Sequence, residues 1–226
     1  MRGPSSSTTG LPAGSADLKV LRSQDYVLTS GPETKGLKEQ PTPGAPGLAD
    51  PQAGKDLADC LGIPGLSVTA AYNGPAFTDG AEDPTTANST SAILSMEDAT
   101  AARKALQEPR YPGCLASLTA KDFDAQLKGQ LKRAGYTDPS LAEKLSADVS
   151  SAGFASPLPG FAAAMEFVVT ISGPASSQKY YATTLFAIDR RVEIELTLGR
   201  FGNPPDTAQL ELLATQLVRK LAQQPR

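Results

Sequence analysis

Three consecutive segments near the C-terminus alternate apolar and polar residues with a period of two, and they restrict the fold more than anything else in the chain. AAMEFVVTIS (163–172) places Met165, Phe167, Val169 and Ile171 on one side. KYYATTLFAID (179–189) places Tyr180, Ala182, Thr184, Phe186 and Ile188 on one side. RVEIELTLG (191–199) sends Val192, Ile194, Leu196 and Leu198 inward and Glu193, Glu195 and Thr197 outward. Side chains point alternately to the two faces of a strand, so each segment reads as a strand with one wetter face. SGPASSQ and the tight IDRR corner are too short for crossovers, so the strands form an antiparallel meander.

The remaining elements arrange themselves around that meander. DLKVL (17–21) and DYVLTS (25–30) are strand candidates. Residues 31–54 carry enough Gly and Pro to read as loop, either functional or a meandering cover strand. KDLADCLGI forms a short helix that stops before Pro64. LSVTAAY (66–72) alternates as a half-buried strand and pairs with STSAILS (89–95) across a long turn-rich connection. Ser95 with Asp98, and Thr119 with Asp122, have capping-box spacing. They start helices over EDATAARKALQ and AKDFDAQLKGQLKRA, with Cys114 just before the second. Residues 141–154 read as a helical turn followed by a strand. Asp206 caps a closing helix whose stripe is Leu210, Leu213, Leu217 and Leu221. The expectation is an α+β fold: an antiparallel meander, two helices inserted midway, and a C-terminal helix packed on the sheet. Residues 1–16 read as a disordered tether, 17–54 as N-terminal strands and loop, and 55–226 as a single α+β domain.

Composition excludes several functions. There is no histidine among the 226 residues, which removes Ser-His-Asp and Cys-His nucleophilic sites and His-ligated zinc. Carboxylates, lysine or tyrosine could still catalyse, but the expectation is a protein that is not an enzyme, with no catalytic residues, no metal site and no cofactor. Net charge is −3 with no basic stripe, so nucleic acid and anionic membrane surfaces are poor partners. No apolar run is long enough to span a bilayer. Gly-rich phosphate loops and the GxSxG elbow are missing. Glu193 with Glu195, and Asp122 with Asp124, are the paired carboxylates; the first pair reads as a solvated strand face and Asp122 as a capping residue.

Cys60 and Cys114 are the two cysteines. Their spacing excludes a CxxC redox pair, and without histidine a zinc site is unattractive. A disulfide and two buried thiols remain, of which the disulfide is favoured. A loop of this length would contribute roughly 4 kcal/mol in the chain-entropy treatment. Oxidation implies an extracytoplasmic address. The Ser/Thr/Gly/Pro-rich first residues, which lack a signal-peptide h-region, suit a tether following a removed signal or lipid anchor; the alternative is a cytosolic protein with a loose N-terminus.

Cys60 after a short helix, the SVTAAY and SAILS strands, EDATAARKAL leading into YPGCL, the meander and the closing LATQLVRKLA form an order of elements with a familiar outline. Over residues 55–222 the chain resembles extracytoplasmic sensor-like lipoprotein domains of actinobacteria. These include the external sensor domain of serine/threonine kinases, and the order is also similar to PsbP-like α/β sandwiches. The kinase sensor domain holds more cysteines than the two here. The resemblance implies a domain, secreted or lipid-anchored to the cell membrane, that binds a small ligand or an envelope protein. The alternatives are an interaction module without a pocket and a histidine-free hydrolase. For a ligand site, Phe154, Phe161, Tyr180 and Tyr181 are the candidates, where the irregular FASPLPGFAAA stretch meets the meander.

Overall fold

A computed structural model describes residues 21–43, 51–65, 68–133, 143–174 and 176–225, with the side chains of all these but 41–43 and 51. The described strands are β1 (Lys38–Pro43), β2 (Val68–Asn73), β3 (Pro75–Thr78), β4 (Thr85–Leu94), β5 (Ser146–Ala155), β6 (Ala163–Ser172), β7 (Ser177–Asp189) and β8 (Val192–Phe201). They form one antiparallel sheet in the order β1-β3-β4-β8-β7-β6-β5, with β2 also pairing β4. The described helices are α1 (Pro51–Leu61), α2 (Met96–Ala105), α3 (Tyr111–Arg133) and α4 (Thr207–Ala222). The fold is α+β, as the alternation predicts. The meander β6–β7–β8 pairs in continuous register, from Ala163↔Phe186 to Tyr180↔Phe201. None of the described helices is long and apolar enough to cross a membrane.

Helices cover both faces of the sheet. On one, Leu210, Leu213, Leu217 and Leu221 of α4 pack on Val192, Ile194, Leu196, Leu198 and Leu185, with Phe161 among them. On the other, α1, α2 and the first turn of α3 meet Ala163, Met165 and Phe186. Farther along α3, Ala116 and Ala120 pack on Phe167, Val169, Tyr180 and Ala182. Cys60 of α1 is bonded to Cys114 of α3, tying these two helices together.

Several local expectations change. DYVLTS is not a strand: Ser23–Tyr26 is a 3-10 turn, and the residues after it run as a strap between β4 and α4. Side chains satisfy the strap's backbone instead of a ladder. The amide of Leu28 donates to Ser89 Oγ at 2.7 Å, and that of Thr29 to Gln216 Oε1 at 2.8 Å, while Gln216 Nε2 returns a bond to the Thr29 carbonyl. The close passage of the strap also explains Gly74, where a Cβ would sit 2.8 Å from that of Val27. Of DLKVL, residues 17–20 lie outside the described part.

The described part of 31–54 is not all loop, and its strand matches the cover-strand alternative. It holds a 3-10 turn at Pro32–Thr34, the edge strand β1, and the start of α1. Pro41 and Pro43 are tolerated because β1 borders the sheet, and Pro51 fits a helix's first turn, where no amide partner is needed. α3 begins at Tyr111 rather than after Thr119, so Cys114 lies inside it. Pro112 occupies the first turn, and the Thr119 hydroxyl donates to the Leu115 carbonyl within the helix instead of capping one. β2 pairs with β4 as expected but lies open, with Val68 43% and Tyr72 42% exposed. The connection before β4 contributes a strand of its own, β3.

Candidate functional site

β8 runs through the middle of the sheet, so both of its faces are enclosed. Its apolar face meets α4. On the opposite face, beneath the helices there, Glu193 is buried while Glu195 and Thr197 are half-buried. Glu193 is 4% exposed. Cross-strand register sets Thr90 opposite Glu195, Asn88 opposite Thr197 and Thr86 opposite Gly199 on β4, and Thr184 opposite Thr197 on β7. Residues opposite each other in a pair share a face, so one patch of the covered face is hydroxyl- and carboxylate-bearing.

Above this patch α3 stands off the sheet and leaves a cavity of about 260 Å³. Its floor is Thr86, Asn88, Thr90, Thr184, Glu195 and Thr197, and Thr119, Asp122 and Gln126 of α3 lie along its roof. The hydroxyls of Thr184 and Thr197 are 2.9 Å apart, and those of Thr90 and Thr197 donate to Glu195 at 3.4 and 3.5 Å. One end is aromatic: Phe123 meets Tyr180 edge-on with ring centroids 4.9 Å apart, and Phe201 lies 5.1 Å from Tyr180. Gly199 creates the space for the Tyr180 ring, since a Cβ there would stand 1.8 Å from the phenol oxygen. Burial raises the Tyr180 phenol pKa, opposed by a hydrogen bond with Thr86.

Toward α1 and α2 the same face tightens. Glu193 borders a separate space of about 40 Å³ walled by Leu57, Leu61, Ala105 and Tyr111. Burial first, and the nearby Glu195 second, push its carboxyl up to about 8, so it holds its proton at neutral pH. Tyr111 is likewise pushed well above its ordinary value by burial and by Glu193 and Glu195. Among the described residues no group of three or more His, Cys, Asp or Glu is placed to hold a metal ion.

The four residues singled out from the sequence do not converge. Tyr180 enters the cavity beneath α3. Tyr181, on the opposite face, lines a groove of about 500 Å³ together with Phe154 and Asp206, while Phe161 is buried against α4. That groove is larger but shallow: Phe154 is 49% exposed, and Ser151, Glu166 and Asp206 are open to solvent. The smaller cavity has the better features of a site, a rigid sheet floor with polar groups converging beside an aromatic wall. Sequence reasoning missed Glu195, Thr197 and the cavity-facing role of Asp122. The signal was present in TTANST and VEIELTLG, whose alternate polar positions coincide only once the β4–β8 pairing is known.

No known protein family matches the chain, and no curated protein does. Among solved structures it is similar to LpqN of Mycobacterium tuberculosis, a protein involved in cell envelope biogenesis. The identity is 15%, over 83% of this chain and 89% of that one, with a TM-score of 0.30. At that overlap the similarity carries no argument about the role of this chain.

Proposed function

We propose that this chain is a non-catalytic, extracytoplasmic domain, secreted or lipid-anchored, that holds a small ligand in the cavity beneath α3. The observation that carries the reading is the cavity itself: about 260 Å³ between helix and sheet, open at the rim where Asp122 and Gln126 meet solvent, with an aromatic end and a polar floor. The floor gathers the hydroxyls of Thr90, Thr184 and Thr197 around the Glu195 carboxylate, a set of polar groups beside an aromatic wall. The volume sits just below the usual range for ligand pockets, which suits a fragment-sized molecule. The Cys60–Cys114 bond supports an oxidising compartment. The sequence resemblance to sensor-like envelope domains points the same way.

The test is methyl and aromatic NMR of the oxidised protein against a fragment library. Hits should perturb Thr184, Thr197 and Phe123, and Thr197→Phe, which fills the space, should abolish them. Perturbations confined to Tyr181 and Leu210 would move the site to the opposite face and sink the proposal. Fractionation of cells from the source organism should place the protein outside the cytoplasm.

A second reading, a histidine-free hydrolase, draws on the raised carboxyl of Glu193 beside Glu195. Against it, Glu193 borders the 40 Å³ space and not the cavity that Glu195 lines, so one substrate would not reach both. Glu193→Gln abolishing a measured hydrolytic turnover would establish this reading instead.

A further inference from the structure

We propose that the Cys60–Cys114 bond is a modification site, at which a small carboxylate-bearing thiol forms a mixed disulfide with Cys60. The inference stands apart from the cavity beneath α3. Its ground is that the two sulfurs are unequally placed. Cys60 is exposed in the last turn of α1, whereas Cys114 is only 5% exposed in the first turn of α3. Both cysteines open onto a surface depression of about 440 Å³. Pro109, Arg110 and Gly113 line it together with Gly153 and Phe154 of β5. A Cβ at Gly113 or Gly153 would meet nothing within 4 Å, so neither position blocks an approach.

In thiol–disulfide exchange a thiolate attacks one sulfur, and the other leaves with the electron pair. Here the incoming thiolate attacks Cys60 Sγ, the Cys60–Cys114 bond breaks, and Cys114 departs as a thiolate. One S–S bond forms for the one broken, so the thiol is the sole co-reactant. The opposite attack would have to reach a buried side chain. It would also leave the charge on Cys60, at the negative end of α1. Cys114 leaves instead at the positive end of α3, a position that favours thiolate. Burial beside Leu57 and Tyr111 opposes that charge, so access more than leaving-group strength sets the choice of sulfur.

Arg110 supplies the class of thiol. Among the described residues it is the one charged side chain in the lining, and it makes no ion pair. Its guanidinium donates to the Leu61 carbonyl, next to Cys60. A carboxylate on the incoming thiol meets that charge, while an ammonium is repelled. At an exposed arginine the discrimination is modest.

The test treats the full oxidised chain with mercaptoacetate, mercaptoethanol or cysteamine. The reaction is stopped early in acid, the free thiol is alkylated after unfolding, and the peptides are read by mass spectrometry. The added thiol should sit on Cys60 and the alkyl group on Cys114, with the reverse product below about a tenth. Each rate is divided by that of the same thiol on hydroxyethyl disulfide, which removes differences in nucleophilicity. On that scale mercaptoacetate should lead cysteamine by about threefold at low salt, and Arg110→Gln should remove the lead. Adducts mainly on Cys114, or a bond still intact after a day in millimolar thiol, overturn the site. Equal scaled rates overturn the carboxylate preference and leave Cys60 as the exchanging sulfur.

Discussion

The two faces of β8 carry opposite chemistry under different degrees of cover. Toward α4, Val192, Ile194, Leu196 and Leu198 are fully buried in one apolar layer with the leucines of that helix. Toward α3, Glu193 is buried but Glu195 and Thr197 are only half-buried, because there the packing opens into a cavity. A strand of this pattern at the edge of an open sheet would put its glutamates in water. At the centre of a sheet with helices on both sides, Glu193 is buried and Glu195 half-buried. The α4 face is built for stability, while the α3 face gives up dispersion contacts to keep polar groups inside.

The sharpest way to break that comparison is a pair of adjacent substitutions. Leu196→Ala should cost about 4 kcal/mol in urea unfolding, because the residue is fully buried and its neighbours cannot close around it. Thr197→Val, one residue along on the other face, should change stability by less than about 1 kcal/mol and still impair ligand capture. Equal losses would mean that both faces are simply core. Next in size is the Cys60–Cys114 bond. Replacing both cysteines by serine should cost up to roughly 4 kcal/mol, and the loss should fall on the α3 face, with the strap and α4 keeping their hydrogen-exchange protection.

Glu193 tests the α3 face by pH. The folded chain keeps this proton up to about pH 8, whereas the unfolded chain releases it near the ordinary 4.5. The unfolded state therefore binds fewer protons across that window, and stability falls as pH rises from 4.5 to about 8, by a few kcal/mol, then levels off. Glu193→Gln should flatten this component in thermal melts taken between pH 5 and pH 8. An unchanged slope would show that the carboxylate reaches water in the folded state. The smallest effect lies on the α4 face. Asp206 accepts from the Ala208 amide as the N-cap of α4, and Asp206→Ala should cost about 1 kcal/mol with ligand binding untouched.

What was legible in the sequence divides along the same line. Alternation in 163–199 identifies three strands and assigns their apolar faces, because period-two patterning is local and strong. Ser95 and Asp206 cap helices as their spacing predicts. The fate of the polar faces is not local: whether Glu195 meets water depends on α3, some 70 residues earlier, and on the pairing of β4 with β8. The strap was opaque for a related reason. Its backbone is satisfied by Ser89 and Gln216, far along the chain, so no nearby pattern announces it. Tyr180 and Tyr181 put one ring on each face of β7, as period-two alternation requires, and the sheet's cover decides that only Tyr180 reaches the cavity.

The position of the disulfide along α3 has a mechanical consequence. Cys114 lies in the first turn, whereas the cavity-lining residues run from Leu115 to Gln126. At about 1.5 Å of rise per residue, Gln126 is some 18 Å from the anchor. The bond therefore acts as a fulcrum with the roof of the cavity as its lever arm. A tilt of about 5° about that point displaces the roof near Gln126 by about 1.5 Å, around half the width of a water molecule, yet barely moves it at Leu115. The width of the chamber can thus change most at the rim, where Asp122 and Gln126 stand, while the pinned end stays in register with the sheet.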